Sequence, residues 1–285
     1  MGEDRAPARK AATVRTDLAQ ARATLEAAAD RTADLLHSIP DGDLPVKGSD
    51  WTVGEVGAHL VFGLQGLTQA VEGSFDTVSP YIPDTEVFRD RLTAVTAGTL
   101  ELLPERRPSV LAKLVLDAAQ TFLTVTAERA SDEVVRTPWY GSQASLSMGG
   151  ATRLLAGEQI IHGYDIAQTV AHRWPISTAD AVVVLPLEMI PLVVNPATAR
   201  GHTANYEVHA RGGPRFVVRF NEGVAAVEPA RGQTIDCHLS ADPVDLMLVV
   251  YGRISQWGPI ARGRLLAWGR KPWLGLRFKN LFFNP

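Results

Sequence analysis

Cysteine is almost missing from this chain: Cys237 is the one copy in 285 residues. No intrachain disulfide can form, so stability must come from apolar burial, and the count fits a reducing, cytoplasmic setting. A long apolar run is missing too. The most apolar stretch, residues 181 to 194, contains Glu188, Pro186 and Pro191 and is too short to span a bilayer, so membrane insertion is not expected. The first twenty residues hold no apolar block, which argues against a cleaved secretory signal. Internal repeats and low-complexity blocks are lacking as well. What remains is ordinary globular material, 46% apolar and 21% charged, long enough for one large or two medium domains with real cores.

Net charge is −3 but unevenly placed. From Asn195 onward there are 12 basic and 6 acidic residues, and before it 16 and 25. No acidic residue follows Asp245, whereas seven basic ones do. The simpler reading is a solvated basic face, or one docked on the acidic half; contact with an anionic ligand or membrane surface is the other. No nucleic-acid partner is expected.

Helical periodicity covers the first two thirds. Leu18, Ala21, Leu25, Ala28 and Leu35 predict an amphipathic helix over residues 12 to 38, closed by Ile39-Pro40-Asp41-Gly42. Thr52 followed by Glu55 forms a capping box for a second helix, to about Val71. Further helices are predicted over 85 to 103, over 108 to 129 with Pro108 in the first position, and over 151 to 172. Residues 131 to 150 read as a long loop or hairpin, and 177 to 194 as a helix bent at its prolines. The period then drops to two. Residues 205 to 211 and 215 to 220 alternate across Gly212-Gly213-Pro214, a hairpin signal, with more strands over 223 to 228, 234 to 239 and 263 to 268. Helices are predicted over 242 to 250 and 273 to 281. A boundary falls between residues 190 and 205.

Two segments carry chemistry: residues 51 to 60, WTVGEVGAHL, and residues 158 to 167, EQIIHGYDIA. Glu158 and His162 stand four apart on a helix, so their side chains lie one above the other. His59 can join them if its helix packs face to face. Two imidazoles and a carboxylate suit zinc with an open fourth position, and suit iron or nickel as well. Spacing alone fits equally a surface ion pair and a buried, hydrogen-bonded His59.

The segment WTVGEVGAHL, opening the second helix of a bundle, resembles the DinB-like superfamily, and in particular the mycothiol-dependent maleylpyruvate isomerase family. The resemblance implies a divalent metal, most often zinc, on His59, Glu158 and His162. It implies mycothiol, the thiol of actinobacteria, as cosubstrate alongside a small-molecule substrate. It also implies a C-terminal module similar to sterol carrier protein 2 over Tyr206 to Phe283, carried by Asn221-Glu222-Gly223, Leu239 to Asp242 and Tyr251-Gly252-Arg253. The fold class expected is multidomain α plus α+β: a DinB-like, four-helix-type metal-binding bundle over residues 1–194 and a sterol-carrier-like α+β domain over 195–285. No position matches a maleylpyruvate-binding residue, so the resemblance implies thiol chemistry, isomerisation or S-transfer, rather than a given substrate.

Other residues have two readings each. Asp165 either orients a ligand histidine or fixes a neighbouring element. Trp51 reads as a packing residue at the helix entry, and Tyr164 as core. The loop 136 to 150, with Trp139 and Tyr140, either lines the site or is a solvated connector. Arg89 and Arg153 either meet an anionic substrate or form surface ion pairs. Cys237 reads as structural. Trp257, Trp268, Trp273, Phe278, Phe282 and Phe283 read as closing a small core in the second domain. The competing functions are a lipid or small-molecule binder with a structural metal or none, and a metal-dependent hydrolase. The assembly expected is a monomer or homodimer.

Overall fold

The protein is described here from a computed structural model over residues 18–283. Four long helices form the bundle: α1 (Leu18–His37), α2 (Val53–Val71), α4 (Pro108–Val125) and α5 (Met148–Thr169), with α3 (Phe88–Leu102) laid beside α2. α1 packs on α4 and α5, and α2 on the same two, so α1 and α2 occupy opposite corners. The first helix buries Ala21, Leu25, Ala28 and Leu35, the stripe its periodicity gave; residues 12 to 17 of that expectation lie outside the described residues. The capping box forms: Glu55 N–H donates to Thr52 Oγ1 at 3.3 Å, and Thr52 N–H to Glu55 Oε2 at 2.7 Å. It fixes the start of α2, and therefore the height at which His59 sits.

Several boundaries move for local reasons. α4 ends at Val125 rather than at 129; Thr126, its C-cap, bonds its hydroxyl to Phe122 O and accepts from Arg22 Nη1. α5 begins earlier than 151: its N-cap is Ser147, whose hydroxyl accepts from Gly150 N–H. It also ends at Thr169 rather than at 172, with Ala171 in the left-handed region at φ 53°. The 131 to 150 segment is a small hairpin, β1 (Val134–Arg136) antiparallel to β2 (Ser145–Ser147).

The bent helix expected over 177 to 194 is not there. α6 (Thr178–Val183) is helical, and a series of turns follows to residue 195. Pro186 and Pro191 withhold two backbone donors, and the turns serve two cores at once. Val183, Val184, Met189 and Val193 join the bundle core, while Leu185 is buried in the core of the sheet. Glu188 anchors the segment by accepting from Ser147 N–H, Ser147 Oγ and Arg153 Nη2 at 2.6 to 3.0 Å.

After α7 (Pro196–Ala199) comes a mixed five-stranded sheet of β3 (Ala204–Ala210), β4 (Arg215–Asn221), β5 (Val224–Pro229), β6 (Cys237–Ala241) and β7 (Leu265–Trp268). Its order is β5-β4-β3-β6-β7, with β3 and β6 parallel and the other pairs antiparallel. α8 (Pro243–Val250) and α9 (Trp257–Ala261) connect β6 to its antiparallel neighbour β7, and α10 (Leu274–Phe278) follows β7. A helical N-terminal region is thus followed by a C-terminal mixed-sheet domain. The two interlock: Met247, Leu248 and Tyr251, in and just after α8, are buried in the bundle core. The three tryptophans expected in the sheet core are instead exposed, Trp257 by 60%, Trp268 by 48% and Trp273 by 59%. Of the six aromatics, Phe278 and Phe282 pack on that core, with α10 laid against β6 and β7.

Packing around α5 sets a sharp test. A Cβ on Gly163 would run into the Trp174 ring, whose indole N–H donates to Ile160 O at 3.0 Å. Gly163→Ala is expected to destabilise the protein by about 1–3 kcal/mol, read as a lower urea midpoint at unchanged slope. A midpoint equal to the parent's would count against this packing.

Candidate metal centre

Three polar side chains converge where α2 and α5 meet. His59 Nε2 lies 3.4 Å from Glu158 Oε2, and His162 Nε2 lies 3.2 Å from the same oxygen. One ligand atom from each residue falls within 4.8 Å of the others. The two imidazole rings sit edge to face at 5.1 Å, with the Trp51 ring 5.0 Å from His59 and 6.3 Å from His162. Trp51 is therefore a wall of the site as well as a residue at the helix entry.

The donor set fits a divalent ion. Zinc bonds of 2.0–2.1 Å in tetrahedral geometry place neighbouring ligand atoms about 3.3 Å apart, close to the two separations found. Two nitrogens and one oxygen suit zinc, iron or nickel and leave at least one position for an outside ligand.

Behind the three stands a chain of alternating charge. Asp165 Oδ2 is 3.3 Å from His162 Nδ1, and Arg253 grips Asp165 from the second domain, Nη2 to Oδ2 at 2.6 Å and Nε to Oδ1 at 2.9 Å. Both readings of Asp165 hold: it contacts a candidate ligand and fixes a neighbouring element. Arg253, noticed in the sequence only inside Tyr251-Gly252-Arg253, is the site residue that sequence reasoning missed. Burial works against charge on Glu158, yet its bonds to His162 and His59 hold its carboxyl well below the usual range. Burial also opposes charge on His162, but Asp165 and Glu158 outweigh it and raise the imidazole from 6.5 to about 9. Asp165 is lowered, its burial overcome by His162 and Arg253. Tyr140 and Tyr251 are pushed up, first by burial and then by the Glu158 charge, and stay neutral phenols.

The triad stands on the wall of a chamber of about 1080 Å³. Val56, Phe62 and Leu155 line it from the bundle, Trp139 and Tyr140 from the hairpin, and Val208, Phe216 and Phe278 from the sheet domain. Tyr164, read as core, is half-buried and lines this space too. Arg153 is no surface residue: it is buried and held by Glu188 at 3.0 Å. Arg89 lies over the Phe283 ring at 4.9 Å and does not line the chamber. Cys237 is buried in β6, outside the chamber, and burial raises its thiol.

The raised His162 fixes a pH dependence. A folded pKa above the unfolded value of 6.5 contributes stability that is complete below pH 6.5 and is lost as pH rises through about 9. An ion needs the neutral imidazole, so its stabilisation grows over the same window. Chelator-treated protein should therefore melt at progressively lower temperature from pH 6.5 to 9, while the gap to zinc-loaded protein widens. A gap that stays constant or narrows would contradict this.

Residues 25–167 match the family model described as the mycothiol maleylpyruvate isomerase N-terminal domain, a span that holds His59, Glu158, His162 and Asp165. Among solved structures, the crystal structure of the mycothiol-dependent maleylpyruvate isomerase is similar at a TM-score of 0.50 and 12% identity, over 88% of this chain and 93% of that one. A histidine-to-alanine mutant of that isomerase matches at a TM-score of 0.49 and 12% identity, with the same coverage. Comparison with curated protein sequences gives no match. At 12% identity the structural likeness speaks for the fold, and the family model for kinship: the chain belongs to the mycothiol maleylpyruvate isomerase N-terminal domain family.

Proposed function

We propose that the protein is a metal-dependent enzyme that activates a low-molecular-weight thiol, mycothiol, for isomerisation of or S-transfer to an electrophilic small molecule. The observation that carries the reading is the placement of the triad: His59, Glu158 and His162 face a chamber rather than a sealed core. The activity of the similar mycothiol-dependent maleylpyruvate isomerase supports the same chemistry. The protein's own thiol is in the wrong place, since Cys237 is buried away from the chamber with its pKa raised, so the nucleophilic sulfur has to come from outside.

His59, Glu158 and His162 would hold the ion, zinc by the donor set. A divalent ion supplies one thing here: it favours the thiolate over the thiol near neutral pH. The chain's residues do the rest. Asp165, itself clamped by Arg253, stands 3.3 Å from His162 Nδ1, where its charge favours a proton on that nitrogen and leaves Nε2 for the ion. When a thiolate sulfur adds to the β-carbon of an unsaturated carbonyl, the C=C electrons move to the carbonyl oxygen. The neutral hydroxyls of Tyr140 and Tyr251, both lining the chamber, are donors available to that oxygen. Rotation about the resulting single bond and expulsion of the thiolate return the double bond in the other geometry. Displacement of a leaving group by the same sulfur gives S-transfer.

Three measurements test this. Zinc content of His59→Ala and His162→Ala should fall from about one per chain to near zero, and unchanged stoichiometry would refute the ligand set. Asp165→Asn should keep the zinc but weaken its affinity about 10–100-fold. Cobalt-substituted protein titrated with mycothiol should develop a sulfur-to-cobalt charge-transfer band, and its absence at saturating thiol would sink the thiol reading.

A further inference from the structure

The chamber is larger, and more apolar in one half, than thiol activation requires. Its volume, about 1080 Å³, stands at the upper end for small-molecule sites. Its surface divides by location. Near the triad the rim is polar and exposed, with Lys47, Ser49 and Gln168, and Lys47 N–H is tied to Thr169 Oγ1 at the end of α5. On the sheet side the walls come from three sources and are hydrocarbon or aromatic apart from the half-buried Lys279, while α3 adds Phe88 and Leu92 together with Thr93, Thr96 and Thr99. The turns after α6 give Leu187 and Ile190, the sheet gives Val208 and Phe216, and the elements around it give Val250 and Phe282.

Charge tells the same story. The cationic side chains lining the chamber are Lys47, Arg253 and Lys279. Arg253 is committed to Asp165 by three hydrogen bonds. Lys47 is on the exposed rim, and Lys279 lies in the turn after α10. The apolar half therefore has no pair of cations to receive a dicarboxylate, and a desolvated carboxylate placed there would be strongly disfavoured. An alkyl or aryl group placed there would be stabilised in proportion to its area.

We infer that the electrophile carries a bulky apolar body, alkyl or aryl, which lies in the sheet-lined half of the chamber while its reactive carbon reaches the triad and the polar thiol occupies the rim. This rests on the thiol-dependent reading of the site and adds the substrate class to it. The sheet domain, on this view, is the specificity wall of an active site whose chemistry sits in the bundle.

The test uses the full, zinc-loaded chain and straight-chain 1-alkanols from butanol to decanol as probes, with affinity read by displacement of 8-anilinonaphthalene-1-sulfonate. Each added methylene should tighten binding about fourfold until the apolar half is full. Maleate and fumarate should displace the dye at least tenfold less well than octanol. Ile190→Trp fills part of the space from a half-buried position. It should weaken decanol at least tenfold, leave butanol within twofold, and shorten the best chain by two or more carbons. Leu187→Asp, also half-buried, should flatten the whole series, and thermal melts of both variants establish that they are folded. Affinity independent of chain length in the parent, or dicarboxylates binding as tightly as octanol, would overturn the inference. The two proposals fail separately. A chain-length series without a cobalt–sulfur band removes the thiol reading and keeps the apolar chamber, whereas the band without the series does the reverse.

Discussion

The structure depends on keeping one carboxylate charged where two helices cross. Glu158 sits between two imidazole nitrogens, and a carboxylate there is tolerated only if paired. The pairing does not stop at the histidines. His162 leans on Asp165, and Asp165 is gripped by Arg253, which enters from the loop after α8. The resulting line of alternating charge runs from the middle of the bundle into the second domain. Neither part can shift far without exposing a bare charge, so the register between bundle and sheet domain follows from the electrostatics of the site.

That register creates the chamber. α8 serves both sides: Met247 and Leu248 are buried in the bundle core, and Leu246 in the sheet core. The turns after α6 do the same from the opposite direction, with Leu185 in one core and Val183 and Val184 in the other. Between these two seams lies the chamber, and the Arg253–Asp165 contact ties the two parts together on its wall. Small residues keep the bundle tight elsewhere. Gly163 admits the Trp174 ring against α5, and Gly150 admits the Glu188 carboxylate at the start of the same helix. α5 thus presents Glu158 and His162 from a backbone packed closely on both flanks.

Legibility in the sequence followed the range of the interaction. The four-residue step from Glu158 to His162 is fixed by helical geometry, and the Thr52–Glu55 box fixes where α2 starts, so the helical elements of the site could be placed from local spacing. The alternation at 205 to 220 likewise reports the β3–β4 hairpin, whose register pairs Val208 with Phe216. Arg253 was beyond such reasoning: its partner is 88 residues away, and a Tyr-Gly-Arg turn has no period to betray it. The segment 177 to 194 misled for a related reason. Its apolar content is real, but it is shared between two cores in opposite directions, and residues that must alternate between partners do not keep one helical face. Trp257, Trp268 and Trp273 show the converse, since composition says how much aromatic surface a chain has and not which of it faces a core: one begins α9, one ends the edge strand β7 and one caps α10.

Kinship with the isomerase family speaks to the bundle, the part the family model spans, and the triad lies wholly inside that part. The apolar walls of the chamber come from both sides of that limit: α2, α3, the hairpin and α5 supply one part, and the turns after α6, β3, β4, α8 and the C-terminal segment supply the other. The metal triad thus lies in one stretch of chain and part of the pocket wall in another, joined by the shared packing of α8 and of the turns after α6 and by the Arg253–Asp165 ion pair. Such a division lets substitutions at Ile190, Val208, Phe216 or Phe282 reshape the pocket while His59, Glu158 and His162 keep their mutual distances, because none of the four touches the charged line. It also predicts where the coupling is tight. Replacing Arg253 leaves Asp165 without its cation and removes an ion pair that ties the sheet domain to the bundle on the chamber wall, so Arg253→Ala should weaken metal binding and apolar-ligand binding together, whereas a change in the apolar wall should move the second alone. Equal loss of both in Ile190→Trp, with the protein folded, would show that shape and chemistry are not separable here.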